Sequence, residues 1–299
     1  MLQSHPKTRV LMCPPEHFAV TYAINPWMDP TDWARDDCAL VTQSQREWAG
    51  LCRALKAAGA EIETIPAVHG LPDLVFTANA AVVLDRKVLL SRFRFAERRG
   101  EQPHAAAAFR ALQARGLVDA VRELPDDVVL EGAGDCVWDR HRNLFWMGHG
   151  PRSDLAARAV VAAEFGAPVL ALELADARFY HMDTALCPLS GGEVMYVPEA
   201  FTGAGLTAIR DRVGDEQRIE IAPDDSGRLA ANAVCVGASV ISAGMSGRLR
   251  GLLEERGYDV IVTPLQSFLR SGGAAFCLTL RLDHVSDRTV RRESYARAV

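Results

Sequence analysis

Helical and strand-like patterns of hydrophobic residues alternate along the chain. Stretches such as "SDLAARAVVAAEFG" and "SGRLRGLLEERG" carry apolar residues at helical spacing and end at a glycine. Short β-like segments follow helical stretches at five places: "AEIETIPAV", "VDAVRELP", "APVLALEL", "QRIEIAP" and "YDVIVTPL". This recurrence indicates an internal repeat.

Each β-like segment is followed by a turn and then by small residues that run into a hydrophobic strand. The five small-residue segments are "FTANAAVVL", "EGAGDCVW", "HMDTALCPL", "AANAVCVG" and "GGAAFCLTL". The first four continue into a further strand: "KVLLSRF", "NLFWMGHG", "EVMYVPEA" and "SVISAGM". The predicted unit is therefore helix, strand, strand, strand.

Five such units predict an α/β fold closed into a ring, because an open stack would need polar caps at its ends. The strand after each turn is nearly all apolar, as expected for a strand buried on both faces. The small residues at the strand entrances are then expected near the ring axis, where backbones come close together.

Polar residues also occur at these strand entrances, so the ring would bring them face to face. They are Asn79, Glu131, Asp135, His181, Asp183, Asn232 and Cys277. Buried charges are costly unless they are paired. The sequence therefore predicts a site for a polar ligand, and the excess of carboxylates favours a cationic one.

A guanidinium group fits such a site, because its planar N–H donors match carboxylates in bidentate geometry. In a strand His181 and Asp183 would point to the same side. A thiolate of Cys277 could attack the guanidinium carbon, since a nearby cation lowers the pKa of a thiol. His181 would donate a proton to the departing amine and later take one from water.

Three alternatives stay open at this point. His181, Asp183, Glu131 and Asp135 could bind zinc or manganese, although structural zinc spacings and H-E-x-x-H are absent. A Cys–His hydrolase for ordinary amides would not need the carboxylates. A non-catalytic guanidine-binding protein would not need a thiol, so the joint presence of Cys277 with His181 and Glu131 argues against it.

Composition excludes some other classes. The net charge is -5 and no basic block occurs, so no nucleic-acid partner is expected. No apolar stretch has the length of a signal peptide or a membrane span, so the interpretation is a cytoplasmic protein without a membrane partner. The seven cysteines are odd in number and lack C-x-x-C, which predicts free thiols. The oligomeric state, including a homo-oligomer, is left open.

Five motifs, in this order, resemble the guanidino-group modifying enzymes: "PDLVFTANAA", "EGAGD", "GPRS", "FYHMDTALCPL" and "GGAAFC". That superfamily includes arginine deiminase, arginine dihydrolase, dimethylarginine dimethylaminohydrolase and the amidinotransferases. The resemblance covers residues 8–282 and implies a five-bladed pseudo-symmetric α/β propeller, the pentein fold. It implies one catalytic domain over residues 1–299, a small guanidino substrate, and neither a cofactor nor a metal.

The resemblance also implies catalytic roles. Cys277 matches the nucleophile that forms a covalent amidino-thioether, and His181 matches the general acid/base. Glu131 matches a carboxylate that holds the guanidinium and helps to move protons. Asp183 matches a second guanidinium ligand, and Asp135 matches a supporting residue.

Arg152 and Arg98 fall where arginine-acting members of the superfamily bind the substrate α-carboxylate. "FTANA" and "INPWM" are most similar to the arginine dihydrolase branch, in which Asn25 and Asn79 would line the pocket. Such enzymes convert arginine to ornithine, carbon dioxide and two ammonia. A deiminase that stops at citrulline, a dimethylarginine dimethylaminohydrolase and an amidinotransferase stay open as alternative functions. Arginine deiminases carry Asp at the position of Asn79, and the exchange is expected to help retain a citrulline-like product for a second attack.

Four of these residues also have simpler interpretations. Arg98 could be a solvated charge, with Arg94 as the ligand in its place. Arg152 could begin a helix, and Asn25 could only shape the Asn-Pro turn. Asp135 could only orient a backbone turn.

Overall fold

A computed structural model describes residues 7–287, which form five three-stranded sheets with helices between their strands. The strands are β1 Arg9–Met12, β2 Glu61–Thr64, β3 Ala81–Leu84, β4 Lys87–Leu90, β5 Ala120–Arg122, β6 Cys136–Asp139, β7 Leu144–His149, β8 Val169–Glu173, β9 Leu186–Pro188, β10 Val194–Tyr196, β11 Arg218–Glu220, β12 Val234–Val236, β13 Ser239–Ser242, β14 Asp259–Val262 and β15 Leu280–Arg281.

The α-helices are α1 Pro30–Ala34, α2 Asp37–Ala57, α3 Ala96–Arg99, α4 Glu101–Ala114, α5 Gly132–Asp135, α6 Ala157–Phe165, α7 Met182–Ala185, α8 Gly203–Arg212, α9 Pro223–Ser226, α10 Gly247–Glu255 and α11 Gln266–Leu269. Short 3-10 helices span Pro72–Val75, Thr77–Ala80, Pro198–Ala200 and Asp215–Gln217. None of the helices within residues 7–287 is long and apolar enough to span a membrane.

All five sheets share one topology, in which a central strand is antiparallel to one neighbour and parallel to the other. The first four sheets are β3-β4-β5, β6-β7-β8, β9-β10-β11 and β12-β13-β14. In the fifth sheet β1 takes the central place, antiparallel to β15 and parallel to β2. The strand nearest the N-terminus thus supplies the further strand that the fifth repeat lacks in sequence.

The predicted repeat is confirmed for its helices and most of its strands, but the fifth small-residue segment, "GGAAFCLTL", contributes only Leu280 to a strand. The five β-like segments form β2, β5, β8, β11 and β14, and each follows a helix. Every residue of β3 and of β6 is buried, which confirms that these apolar strands lie inside the fold. On the outer side, α2 buries Leu40, Leu51 and Leu55 and exposes much of its polar face.

The small-residue segments differ from the prediction in their local structure. Residues ahead of the strands form single helical turns, so the strand alternation predicted for His181 and Asp183 is wrong. His181 is extended, with φ -124° and ψ 155°, and Asp183 lies inside α7. The reason is local hydrogen bonding: both the backbone N–H and the hydroxyl of Thr184 donate to the carbonyl of His181 and close a turn there.

Candidate active site

A closed circuit of hydrogen bonds joins the five segments that precede β3, β6, β9, β12 and β15. From the first segment to the second, Asn79 Nδ2 donates to the carbonyl of Glu131 (3.2 Å), and between the second and third, Met182 N donates to Asp135 Oδ1 (3.1 Å). Between the third and fourth, Asn232 Nδ2 donates to the carbonyl of Asp183 (3.2 Å), and between the fourth and fifth, Cys277 N donates to Asn232 Oδ1 (3.2 Å). Ala78 N closes the circuit by donating to the carbonyl of Cys277 (3.1 Å). The circuit brings together side chains from five separate parts of the sequence.

Two glycines allow the first two segments to approach each other. Gly132 has φ +67°, and a Cβ there would lie 2.6 Å from the carbonyl oxygen of Ala78. A Cβ on Gly134 would lie 2.2 Å from Nδ2 of Asn79. Small residues are therefore needed in "EGAGD" so that Glu131 and Asn79 can share one site.

Glu131 is fully buried and binds two of the predicted site residues through one oxygen. Its Oε2 accepts from Nε2 of His181 and from Nη1 of Arg152, each at 2.9 Å. Its Oε1 accepts from the backbone N–H of Arg94 at 3.0 Å. The carboxylate is thus held by three donors, as a buried charge requires.

These contacts set the protonation of the acid/base pair. Burial alone would raise the pKa of Glu131, but the hydrogen bond from His181 and the charge of Arg152 outweigh it and lower that pKa. Burial lowers the pKa of His181 to about 4 despite its bond to Glu131. Because an ionised Glu131 can only accept and Nδ2 of Asn79 can only donate, the neutral ring of His181 carries its proton on Nε2 and its lone pair on Nδ1, which lies 3.5 Å from that Nδ2.

The sulfur of Cys277 lies between an acceptor and a donor. Sγ donates to Oδ2 of Asp183 and accepts from Nδ2 of Asn232, each at 3.1 Å. Burial, followed by the charge of Asp183, raises the pKa of the Cys277 thiol well above its usual value. Burial and the charge of Asp183 therefore favour the thiol over the thiolate of Cys277 when no cation is bound.

Asp183 has one oxygen without a partner. Oδ2 binds the thiol, whereas the buried Oδ1 has no hydrogen bond to any of residues 7–287. Burial raises the pKa of Asp183 to about 7, and the bond from Cys277 opposes that rise. A buried carboxylate oxygen that lacks a donor is unusual in proteins and marks a place where a ligand N–H can bind.

Arg98 is buried, so the interpretation as a solvated charge is wrong. Its guanidinium makes two bonds of 2.8 Å to Glu101, one of 2.9 Å to Oδ1 of Asn79 and one of 3.1 Å to the carbonyl of Asp73. The alternative, Arg94, directs its guanidinium to Asp154 at 2.6 Å. Arg98 is therefore the arginine that reaches the cluster.

Arg152 begins no helix, because α6 starts five residues later. Its guanidinium lies between the rings of Phe95 and Tyr180, at 4.8 and 4.7 Å from their centroids. Besides Glu131, it donates to the carbonyl of Ile24 at 3.0 Å. The side chain is thus placed in the cluster, and its binding of a substrate carboxylate stays a prediction.

The contacts of Asn25 and Asp135 fit their simpler interpretations, as residues that shape backbone turns, and both side chains also contact residues of the site. Oδ1 of Asn25 accepts from the backbone of Trp27 at 2.9 Å, and Nδ2 donates to the carbonyl of Ser271 at 3.1 Å, in the loop before Cys277. Both oxygens of Asp135 bind protein donors, the hydroxyl of Ser153 and the N–H of Met182. Their binding of substrate stays a prediction.

Sequence reasoning missed several residues that hold the cluster together. Asp73 accepts from the hydroxyl of Tyr22 at 2.9 Å, and Glu101 pairs with Arg98. Tyr180 donates to the carbonyls of Ser271 and Gly272, and its ring lies 4.7 Å from that of His181. Asp73 and Tyr180 stand inside "PDLVFTANAA" and "FYHMDTALCPL", so a closer inspection of those motifs could have found them.

The cluster is closed to solvent, since Glu131, His181, Asp183 and Cys277 are each at most 2% exposed. Within residues 7–287 no group of three or more His, Cys, Asp or Glu side chains is arranged to hold a metal ion. A separate cavity of about 240 Å³, lined by Trp138, Cys187, Cys235 and Phe276 among others, contains none of the predicted site residues.

The chain is similar to known proteins over most of its length. The family model for the eukaryotic N,N dimethylarginine dimethylhydrolases matches residues 14–283. The bifunctional arginine dihydrolase/ornithine cyclodeaminase ArgZ of Synechocystis sp. is 42% identical over 274 residues, which cover 92% of this chain and 37% of ArgZ. The chain thus spans less than two fifths of the length of that relative.

Two further similarities cover nearly whole proteins or domains. The N(G),N(G)-dimethylarginine dimethylaminohydrolase of Mycobacterium tuberculosis is 35% identical over 278 residues, which cover 93% of this chain and 87% of that protein. A mutant N-terminal domain of ArgZ, solved covalently bound to a reaction intermediate, superposes with a TM-score of 0.85 at 39% identity, over 93% of this chain and 98% of that domain. Given a family model that matches most of its length, the chain belongs to the N,N dimethylarginine dimethylhydrolase family.

Proposed function

We propose that this protein hydrolyses the guanidino group of arginine, or of a close guanidino compound, through a covalent intermediate on Cys277. The reaction releases ammonia and, as in the arginine dihydrolase branch, proceeds to ornithine. The covalently bound intermediate in the ArgZ domain supports the same chemistry for this chain.

The observation that carries the proposal is the free Oδ1 of Asp183 beside the sulfur of Cys277. A guanidinium N–H that donates to Oδ1 brings the guanidinium carbon next to Sγ. The same cation favours the thiolate over the thiol, because it stabilises the negative charge on sulfur. Substrate binding and activation of the nucleophile are then one event.

The first half of the reaction forms the Cys277 thioether. The thiol proton passes to the lone pair of His181, and Sγ bonds to the guanidinium carbon. His181 returns that proton to the departing nitrogen, and ammonia leaves as the C–N bond breaks. Glu131 stabilises the imidazolium that exists between these steps, since its carboxylate is held ionised against Nε2.

The second half hydrolyses the thioether. Water gives a proton to His181 as its oxygen bonds to the same carbon. The C–S bond then breaks, His181 returns the proton to sulfur to reform the thiol, and the added hydroxyl loses its proton to solvent as the carbonyl forms. The product after one cycle is the citrulline-like ureido compound. Asn79, which lies between Arg98 and His181, is proposed to hold that product for a second cycle that yields ornithine, carbon dioxide and a second ammonia.

Arg98 and Arg152 are proposed to bind the substrate α-carboxylate. Both are buried and already paired with Glu101 and Glu131, so the substrate carboxylate would join existing ion pairs. Because Arg152 also holds the carbonyl of Ile24, entry requires movement of the segment around Asn25.

The proposed architecture is a single five-bladed α/β propeller, with each sheet as one blade. The shared sheet topology, the pairing of β15 with β1 and the closed circuit of hydrogen bonds support it. A small guanidino molecule is the proposed ligand at its axis, and the proposed chemistry draws on side chains alone.

Incubation of the full chain with arginine alone, with quantification of ammonia and identification of the carbon product, tests this function. Ornithine with two ammonia supports a dihydrolase, and citrulline with one ammonia supports a deiminase. The Cys277→Ser variant is the control for the thioether. Ammonia release retained by that variant contradicts the covalent mechanism.

A second candidate substrate is dimethylarginine. The family model and the M. tuberculosis relative favour it. Methyl groups leave fewer N–H donors for the carboxylate of Asp183, so arginine is proposed as the better substrate. A competition assay with both compounds decides between them: release of dimethylamine in preference to ammonia would overturn this order.

A further inference from the structure

Asn232 uses every polar atom of its side chain to hold the loop of Cys277. Oδ1 accepts from the backbone N–H groups of Ala274 (3.0 Å) and Cys277 (3.2 Å). Nδ2 donates to the carbonyl of Asp183 (3.2 Å) and to Sγ of Cys277 (3.1 Å). The residue is completely buried, so water does not compete for these bonds.

The bond to sulfur has a different character from the other three. Asp183 accepts the thiol proton, so that contact turns repulsive once Cys277 loses the proton. The N–H of Asn232 strengthens instead, because hydrogen bonds to an ionised acceptor are about twice as strong as bonds between neutral groups. Of the two side chains within residues 7–287 that bond to Sγ, Asn232 is the one whose hydrogen bond survives ionisation.

We propose that Asn232 is a catalytic residue of this site, whose Nδ2–H stabilises the thiolate of Cys277 while Oδ1 fixes the direction from which the thiolate attacks. The inference rests on the proposed role of Cys277 as the nucleophile. The N–H of Asn232 is a permanent donor to the sulfur, whereas the substrate cation stabilises the thiolate only while it is bound. The direction agrees with electrostatics: burial and the charge of Asp183 raise the pKa of the Cys277 thiol, and the backbone N–H of Ala274 and the Asn232 bond both oppose that rise.

Alkylation of Cys277 by iodoacetamide tests the inference without any turnover. The rate at Cys277, followed by peptide mass mapping across a pH series, gives the apparent pKa of this thiol in the full chain. Asn232→Ala is expected to raise that apparent pKa by about one unit, which is a tenfold loss of thiolate below the midpoint. The matched control is Ser267→Ala, which removes from α11 a buried hydroxyl that has no hydrogen-bond partner among residues 7–287, and which leaves the midpoint unchanged.

A purely structural role predicts another result: a loosened loop lowers the melting temperature and changes the maximal rate, while the midpoint stays. An unchanged midpoint in Asn232→Ala therefore overturns the inference. If that variant fails to fold, Asn232→Leu serves, because it keeps the volume of the side chain, adds no charge and removes the donor to sulfur; it too must raise the midpoint. Arginine turnover by the unaltered chain tests the proposed function separately, so either idea can fail without the other.

Discussion

Nε2–H of His181 donates a hydrogen bond to Oε2 of Glu131 at 2.9 Å, and both side chains are at most 1% exposed. The bond fixes the ring and leaves the lone pair of Nδ1, which faces Nδ2 of Asn79 at 3.5 Å, as the position that can take up a proton. Because burial disfavours an imidazolium, His181 needs the charge of Glu131 when it takes a proton from the thiol or from water. The pair therefore works as a unit, although 50 residues separate its members.

Replacement of Glu131 by Gln is expected to lower kcat by about 10²- to 10⁴-fold. The variant keeps the size of the side chain but removes the charge that stabilises the imidazolium, and it leaves Arg152 buried without its counter-ion. Ammonia release measures the activity, and circular dichroism reports the fold. A kcat within a few-fold of the unaltered protein would contradict the role given to Glu131.

The pH profile of kcat/KM for arginine should rise through about pH 7. Asp183, whose pKa is raised to about 7, must be ionised to accept from a guanidinium, so protonation below that pH weakens capture of substrate. His181 becomes protonated only near pH 4 and does not produce this limb. Initial rates at low substrate between about pH 3.5 and 9 give the profile. A limb found only near pH 4 would assign it to His181 instead.

Asp183→Asn is expected to stabilise the fold at pH 8 while it abolishes turnover. In the native state the pKa of Asp183 is raised, so folding takes up a proton between about pH 4 and 7, and stability falls as pH rises through that range. The neutral variant avoids this loss, and its melting temperature should exceed that of the unaltered protein by several degrees at pH 8. At pH 4 the two should converge. A gain in stability that is equal at both pH values would point to packing as its cause.

Gly134→Ala is expected to reduce kcat/KM by about 10²-fold, because the added methyl group displaces the amide of Asn79 from its place between Arg98 and His181. Steady-state kinetics with arginine measure the loss. Gly251→Ala, inside α10 with open space around it, is the matched control and should stabilise the fold by up to about 1 kcal/mol. Full activity in Gly134→Ala would show that Asn79 tolerates the shift.

Glu47→Gln is expected to lower the free energy of unfolding by about 1–3 kcal/mol. The buried carboxylate accepts from the backbone N–H groups of Gln266 and Ser267 at 3.0 and 2.9 Å, and so holds the start of the helix that leads to Cys277. An amide presents an N–H to one of these donors. Thermal melts measure the difference, with Glu254→Gln in an exposed ion pair as a neutral control. Equal melting temperatures for Glu47→Gln and Glu254→Gln would remove this role of Glu47.

The repeat and the residues of the cluster could be predicted from sequence because each leaves a local signal. Hydrophobic periodicity marks the helices and strands, and small residues mark the strand entrances that carry Asn79, His181 and Cys277. Local geometry was harder: the helical turn at Asp183 depends on bonds from Thr184 that no periodicity reveals. The burial of Arg98 depends on its pairing with Glu101, and nothing in the sequence pattern distinguishes Glu101 from an exposed surface charge.

The sequence by itself determined the repeating α/β pattern and the chemical groups available at the strand entrances. Tertiary structure alone decided that β1 pairs with β15. It also decided which side chains meet: Arg98 bonds to Asn79, and the sulfur of Cys277 lies between Asp183 and Asn232. The physical reason is distance along the chain, since Asn232 and Asp183 lie 45 and 94 residues from Cys277. Protonation states follow from burial and from these partners, and both exist only once the chain has folded.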